Sequence, residues 1–310
     1  MRGERGFALV ITLIVTALLV ALLVEFVSEV YVDTSHSHNF VASQQAGILA
    51  ESGIAGGIKL LQSSTLMRKG EPFTSLLEIW AKPQVVPLGE GTVSVSIEEE
   101  SGKLDLNSVA LPSGVSNDTF QPIFLRLLTH LKLSPELYEA MADWADTDAV
   151  PRPNGAETAY YSALKSPYQA HDESIDTVEE LALVKGFTPE VLAKLSSCVT
   201  VYGSAAASGV ATPININTAP KELLAALDEK LMSGDLVERI LEYRKTKPIK
   251  SLSEIPGLDT LVQSLQLRVV YQGTIYRIRA EGKVGDSVSV AEAVVKMDGL
   301  KPTVLYWREY

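Results

Sequence analysis

The spacing of apolar residues changes period three times along the chain, and each change marks an element. From Phe7 to Val24 the chain is apolar and uncharged, with only Thr12 and Thr16 interrupting it. About 18 residues of helix rise roughly 27 Å, close to the thickness of a bilayer's hydrocarbon core. A helix can return both threonine hydroxyls to its own carbonyls, so neither bars insertion. Beyond this run Val41, Ile48 and Ala55 recur at heptad spacing, with Leu49, Ile58 and Leu61 beside them. That stripe predicts a helix lying on a sheet. Gly47, Gly53, Gly56 and Gly57 weaken the helix and permit close approach by a neighbour. The pattern predicts one helix from Phe7 to about Gln62, on the order of 80 Å long.

The period then shifts to two. Thr92-Val93-Ser94-Val95-Ser96-Ile97 alternates apolar and polar residues, as a half-buried strand does. The next segments of this kind are Thr274 to Glu281, Ser287 to Met297 and Thr303 to Trp307, with Gly285-Asp286 as a hairpin turn. Between about Gly102 and Tyr271 the pattern is helical, punctuated by Pro, Gly and Asn. The predicted class is therefore α+β, an antiparallel sheet against a long N-terminal helix. An inserted all-helical domain, 102–271, interrupts it and divides at about 102–203 and 204–271.

The N-terminus carries a processing signal. Met1-Arg2-Gly3-Glu4-Arg5-Gly6 runs straight into Phe7-Ala8-Leu9-Val10-Ile11. A secretory signal peptide is cut after its apolar run, whereas the obvious junction here precedes it. Gly6-Phe7 resembles the leader junction of type IV pilins and type II secretion pseudopilins, in which a prepilin peptidase cuts after glycine and the new N-terminal phenylalanine is methylated. On that resemblance 1–6 is a leader, 7–24 a retained transmembrane helix, and 25–101 with 272–310 a pilin-like head. Arg2 and Arg5 precede the span while Glu25, Glu29 and Asp33 follow it. The positive-inside bias leaves the N-terminus in the cytoplasm and the head in the periplasm.

Most pilins and major pseudopilins have glutamate at the fifth mature position, where it is thought to pair with a neighbouring subunit's N-terminal amine. Counted from Phe7, that position is Ile11. The missing carboxylate resembles the K-type minor pseudopilins, thought to sit at the pseudopilus tip. Lys103-Leu104-Asp105-Leu106-Asn107, Ala142-Asp143-Trp144-Ala145-Asp146-Thr147-Asp148, Gly155-Ala156-Glu157 with Tyr160-Tyr161, and Ile214-Asn215-Ile216-Asn217-Thr218-Ala219-Pro220 occur in that order. They too resemble the K-type family, and the resemblance spans nearly the whole chain. It implies assembly with I-type and J-type minor pseudopilins above a filament of major pseudopilin, anchored in the inner membrane. The outer-membrane secretin or secreted cargo would be further contacts of the insert. A minor pilin of a type IV pilus is the rival reading, but the insert has no place in the usual small minor-pilin head.

Composition narrows the chemistry. The chain has 310 residues, a net charge of −11 and a single cysteine, Cys198, which excludes an intrachain disulfide. Asp143, Asp146 and Asp148 fall at the end of a helix predicted from near Ser134, and Glu157 follows the loop forced by Pro151, Arg152, Pro153, Asn154 and Gly155. Oxygen ligands on an irregular loop suit Ca²⁺, and no grouping of His and Cys offers a zinc or copper site. The spacing is not that of an EF-hand, and from the residues alone helix capping and surface solvation are the more common reading of such aspartates. The family resemblance implies calcium, with Asp143, Asp146, Asp148 and Glu157 as ligands and Asn154 and Asp172 as weaker ones.

Asn215-Ile216-Asn217-Thr218-Ala219, Ile240-Leu241-Glu242-Tyr243-Arg244 and Ile255-Pro256-Gly257-Leu258 resemble helix-hairpin-helix (SAM-like) modules of DNA-binding proteins. Those modules hold phosphate on a Gly-hydrophobic-Gly turn. Gly186-Phe187-Thr188 and Gly257-Leu258-Asp259 lack the second glycine, as does Leu227-Asp228-Glu229-Lys230. From Lys103 to Thr200 there are 7 basic and 14 acidic residues, so no nucleic-acid partner is expected. His36, His38, His130 and His171 are scattered and no Gly-x-Ser-x-Gly elbow occurs, so the chain does not read as an enzyme.

Overall fold

In the computed structural model, which describes residues 4–203 and 212–310, helix α1 runs unbroken from Glu4 to Met67. Met1 to Gly3 of the leader, and the expected division of the insert at 204, lie outside the described residues. At 1.5 Å per residue α1 is about 96 Å long. It continues past Gln62 until Lys69 and Gly70 turn the chain with positive φ values of 52° and 85°. Thr12 and Thr16 do return their hydroxyls to carbonyls three and four residues back.

The second half of α1 lies on a sheet by part of the predicted stripe: Leu61 is buried and Leu49 and Ile58 pack against the core. Val41, Ile48 and Ala55 are exposed; the buried line is Ala42, Ala46, Ala50, Gly53, Ile54, Gly57 and Leu61. Close approach explains the difference. A Cβ on Gly53 would sit 2.6 Å from Ala280 Cβ, and one on Gly57 would sit 2.7 Å from Ile278 Cγ2. On the strand side, a Cβ on Gly282 would meet the Ala46 carbonyl at 2.1 Å. Glycine and alanine make the closest contacts, beside Ile54 and Leu61, so Val41, Ile48 and Ala55 fall off the contact line. Gly56 looks outward, with nothing within 4 Å of a built Cβ.

These contacts predict opposite outcomes for two neighbouring glycines. Gly53→Val forces helix and sheet apart and lowers stability by about 1–3 kcal/mol or more. Gly56→Ala removes a helix-weakening residue without a clash and adds up to about 1 kcal/mol. Thermal midpoints of the full chain in detergent should therefore move in opposite directions. A drop for both variants would show that Gly56 is also packed.

After α1 come β1 (Gln84–Leu88) and β2 (Gly91–Glu99). The insert follows, and then β7 (Ile275–Val284), β8 (Ser287–Asp298) and β9 (Lys301–Glu309), the insert supplying β3 to β6. The head sheet is antiparallel in the order β1-β2-β7-β8-β9. The three later strands match the alternating segments, and Gly285, with φ of 56°, turns β7 into β8. Strand β1 escaped the pattern because Pro87 lies within it, and proline is tolerated there because β1 is an edge. Val93, Val95, Ile97, Tyr276, Ile278, Ala280, Ala291, Ala293 and Val295 form the head core with α1, and Trp80 meets Tyr276 edge-on at 5.4 Å.

Contacts down the helix place the insert at the end of the head opposite the apolar half of α1. Ala46 packs at Gly282, Gly57 at Ile278, and Thr74, beyond the helix, hydrogen-bonds with Gly273. The insert leaves at Glu99 and returns at Ile275, the same end. Buried Glu99 clamps the junction, accepting hydrogen bonds from Thr218 Oγ1 at 2.5 Å and Asn215 Nδ2 at 3.3 Å. Burial pushes its carboxyl pKa upward, and these bonds only partly oppose that.

The insert is not all-helical. It repeats one plan twice, and each copy is closed by a two-residue parallel strand pair. In the first, β3 (Leu104–Asp105) pairs with β4 (Val199–Thr200); in the second, β5 (Ile214–Asn215) pairs with β6 (Val269–Val270). Between the strands lie α2 (Gln121–His130), α3 (Leu137–Ala145), α4 (Thr158–Ser162) and α5 (Pro189–Leu195) in the first copy. The second copy has α6 (Lys221–Ala226), α7 (Gly234–Thr246) and α8 (Val262–Leu265). Asn107 Nδ2 donates to the carbonyls of Ile175 and Val201 while its Oδ1 accepts from Ile175 N. Asn217 makes the same three bonds with Ile249 and Tyr271. The longest difference between the copies follows α3 and its counterpart α7. The chain passes directly from α7 through Lys247 and Pro248 to the asparagine clasp at Ile249, but from α3 it makes the long excursion 146–174 before Ile175. The acidic residues lie at the start of that excursion and within it.

Candidate metal centre

Helix α3 ends where Asp146 turns to extended backbone, with φ of −84° and ψ of 162°. One carboxyl oxygen each from Asp146, Asp148 and Glu157 then lie within 4.8 Å of one another. Asp146 and Glu157 are buried and Asp148 is exposed. Among the described residues Asp146 Oδ1 and Glu157 Oε1 are buried without a hydrogen-bond partner. Two unpartnered buried carboxylate oxygens are costly unless a proton or cation joins them. Burial, followed by the charges of Asp143, Asp146, Asp148 and Asp172, pushes the Glu157 pKa up from 4.5 to about 7.

The other expected ligands are placed differently. Asp143 is buried against Arg152, its Oδ1 accepting from the guanidinium at 2.6 Å and its Oδ2 from the Arg152 backbone at 3.0 Å. The Asn154 backbone carbonyl accepts from Lys185 Nζ at 3.2 Å, and its backbone N–H donates to Glu139 Oε2. Asp172 is exposed, has a φ of 55°, and acts on Glu157 only through its charge. The structure thus brings Asp146, Asp148 and Glu157 together, sets Asp143 one shell back, and leaves Asn154 and Asp172 at the margin.

Several residues have supporting roles at this site that the sequence pattern does not assign. Arg152 also donates to Asp146 Oδ2 at 2.5 Å and to the Gly114 carbonyl at 3.2 Å. Burial opposes its charge, but the bonds to Asp146 and Asp143 outweigh that and hold it protonated. Gly155 has to be glycine, because a Cβ there would fall 1.8 Å from Asp143 Oδ2. Beneath the loop Trp144, Tyr161 and Tyr168 pack ring on ring at 5.1–6.2 Å, an apolar floor that lowers the local dielectric. The one available signal was Arg152 itself, a cation between two prolines in an acidic stretch.

An all-oxygen set with unpartnered buried carboxylates fits a hard divalent cation. Asp146, Asp148 and Glu157 would hold it directly. In the second repeat the cations serve the fold: Arg239 donates to the Pro256 carbonyl, Arg244 to those of Ile216 and Ala219, Lys245 pairs with Glu242, and Lys250 with Glu71.

A long helix whose apolar first half stands clear of the head and whose second half lies on an antiparallel sheet defines a pilin-like subunit, and its N-terminal half is consistent with anchoring in the inner membrane. Two models described as type II secretion system (T2SS), protein K, match residues 102–204 and 214–269, together just over half of the chain. Protein K of Aeromonas hydrophila is 27% identical over 94% of this chain and 93% of its own. That of Pectobacterium carotovorum subsp. carotovorum is 25% identical over 99% and 96%. The fold also resembles a chain in the crystal structure of the GspK-GspI-GspJ complex from enterotoxigenic Escherichia coli, with a TM-score of 0.68, 18% identity, and coverage of 90% of this chain and 99% of that one. The chain belongs to the protein K family of the type II secretion system and serves protein secretion as a minor pseudopilin.

Proposed function

We propose that this subunit forms the tip of the pseudopilus together with I-type and J-type minor pseudopilins. The observation that carries this reading is the position of the insert. It covers the end of the head opposite the apolar half of α1, the end on which a further subunit would stack. Ile11 agrees with it, since a subunit with nothing above it has no use for a carboxylate at the fifth mature position. The similarity to a chain solved in complex with GspI and GspJ supports the choice of partners. In this reading prepilin peptidase cuts at Gly6-Phe7, the N-terminus stays cytoplasmic and the head is periplasmic. Calcium orders the acidic loop, and the chain acts by assembly, without catalysis or nucleic-acid binding.

Co-purification of the full chain with the I-type and J-type subunits from detergent tests the partnership. Overproduction tests the position. In a low-dielectric helix bundle an amine without a carboxylate partner is costly, so excess of this subunit should end filaments early. Shortened or absent pseudopili are expected. Long filaments built mainly from this chain would overturn the tip assignment.

A further inference from the structure

The acidic cluster already contains a cation of its own. Asp143, Asp146, Asp148 and Glu157 gather four carboxyl groups, and among the described residues Arg152 is the one cation hydrogen-bonded to any of them. Its guanidinium bridges Asp143 Oδ1 and Asp146 Oδ2, its backbone N–H takes Asp143 Oδ2, and Gly114 O anchors its far nitrogen. Pro151 and Pro153 restrict the backbone on both sides, so the side chain is tethered close to its partners. In this arrangement both Asp143 oxygens are taken and Asp146 has one left. A metal entering the site meets three carboxylates and a neighbouring positive charge. Calcium normally gathers six to eight oxygens, and Asp143 can add to the set only if Arg152 lets go.

We infer that Arg152 is a built-in counter-cation that holds the acidic loop folded when metal is absent and competes with the metal for Asp143 and Asp146. The inference rests on the calcium reading above and adds the residue that sets the site's affinity. Like charges brought together without a cation open the loop, whereas Arg152 keeps the ligands near their final positions. The same bonds have to be loosened for full coordination. Metal-free order and metal affinity are thus set against each other through one side chain.

The test compares wild type, Arg152→Gln and Arg152→Lys as full chains in detergent, using calcium chloride titration calorimetry and thermal midpoints in chelator and in saturating calcium. Arg152→Gln should melt several degrees lower in chelator and recover to the wild-type midpoint with calcium. It should bind calcium roughly tenfold more tightly, the scale of a pK unit of charge interaction. Arg152→Lys, which keeps the charge, should melt between the two in chelator, and it serves if the glutamine variant does not fold. Weaker calcium binding by Arg152→Gln, or an unchanged metal-free midpoint, would overturn the inference while leaving the calcium reading intact. Binding by Arg152→Gln with none by wild type would support the inference and remove calcium from the native protein. Absence of heat from both would end both readings.

Discussion

Gly6→Val is expected to leave the chain at its full precursor mass and to reduce secretion through the system to background. The physical case begins with the helix. Glu4 to Met67 is continuous, so the Gly6-Phe7 bond lies inside a helical segment, and a peptidase has to draw it out of the hydrogen-bond ladder to reach it. Glycine adds its conformational freedom to a first turn whose backbone N–H groups already lack intrahelical partners, so the helix is weak where it has to open. It also presents no Cβ to a protein approaching the backbone. Valine removes both advantages. Intact-mass measurement and N-terminal sequencing of membrane-extracted protein read the result. Wild type should begin at Phe7, with a methylated amine. A mature wild-type terminus at Met1, or beyond Val24, would defeat the processing assignment, as would normal cleavage of the valine variant.

What the sequence made legible depended on how each element encodes itself. The apolar half of α1 is a run, and strands β2, β7, β8 and β9 alternate; both survive reading one residue at a time. In the packed half of α1 the stripe is legible only in Leu49, Ile58 and Leu61; the closest contacts are made by Ala46, Gly53 and Gly57, residues whose value lies in what they lack. Strand β1 was hidden by Pro87. The two parallel pairs that close the copies of the insert are two residues long, too short for any period, and each is reinforced by a single asparagine side chain. Leu104-Asp105-Leu106-Asn107 and Ile214-Asn215-Ile216-Asn217 were both noticed, but their equivalence appears only when their hydrogen bonds are compared. The acidic residues were visible for the opposite reason, since carboxylates declare themselves. The convergence of Asp146, Asp148 and Glu157, and the hold of Arg152 on Asp143 and Asp146, depend on the path of the loop between α3 and Glu157, which no local pattern encodes.

Removing calcium should cost the protein several degrees of thermal stability, and Asp146→Ala together with Asp148→Ala should abolish that response. A ligand that binds only the folded state stabilises it by about 2.7 kcal/mol at a hundred times its dissociation constant. For a domain of this size that is a rise of roughly 5–10 °C in midpoint. The double variant removes two of the three converging carboxylates, including the unpartnered Asp146 Oδ1. It should therefore melt at one temperature with or without chelator. Glu157 adds a dependence on pH whose sign is fixed. Its pKa in the metal-free fold is raised from 4.5 to about 7, so the folded chain retains a proton there that the unfolded chain gives up. In chelator this group's contribution to stability is complete below about pH 4.5 and fades as pH rises to about 7. Calcium requires the carboxylate, so its affinity runs the other way, falling by up to about tenfold per unit as pH drops below 7, with a proton released on binding. Titrations of the full chain at pH 6 and pH 8, in buffers of different ionisation enthalpy, measure both affinity and protons. If millimolar calcium produces neither heat nor a shift in midpoint at pH 8, the cluster is helix capping and surface charge held by Arg152, and the long excursion between α3 and the asparagine clasp needs another explanation.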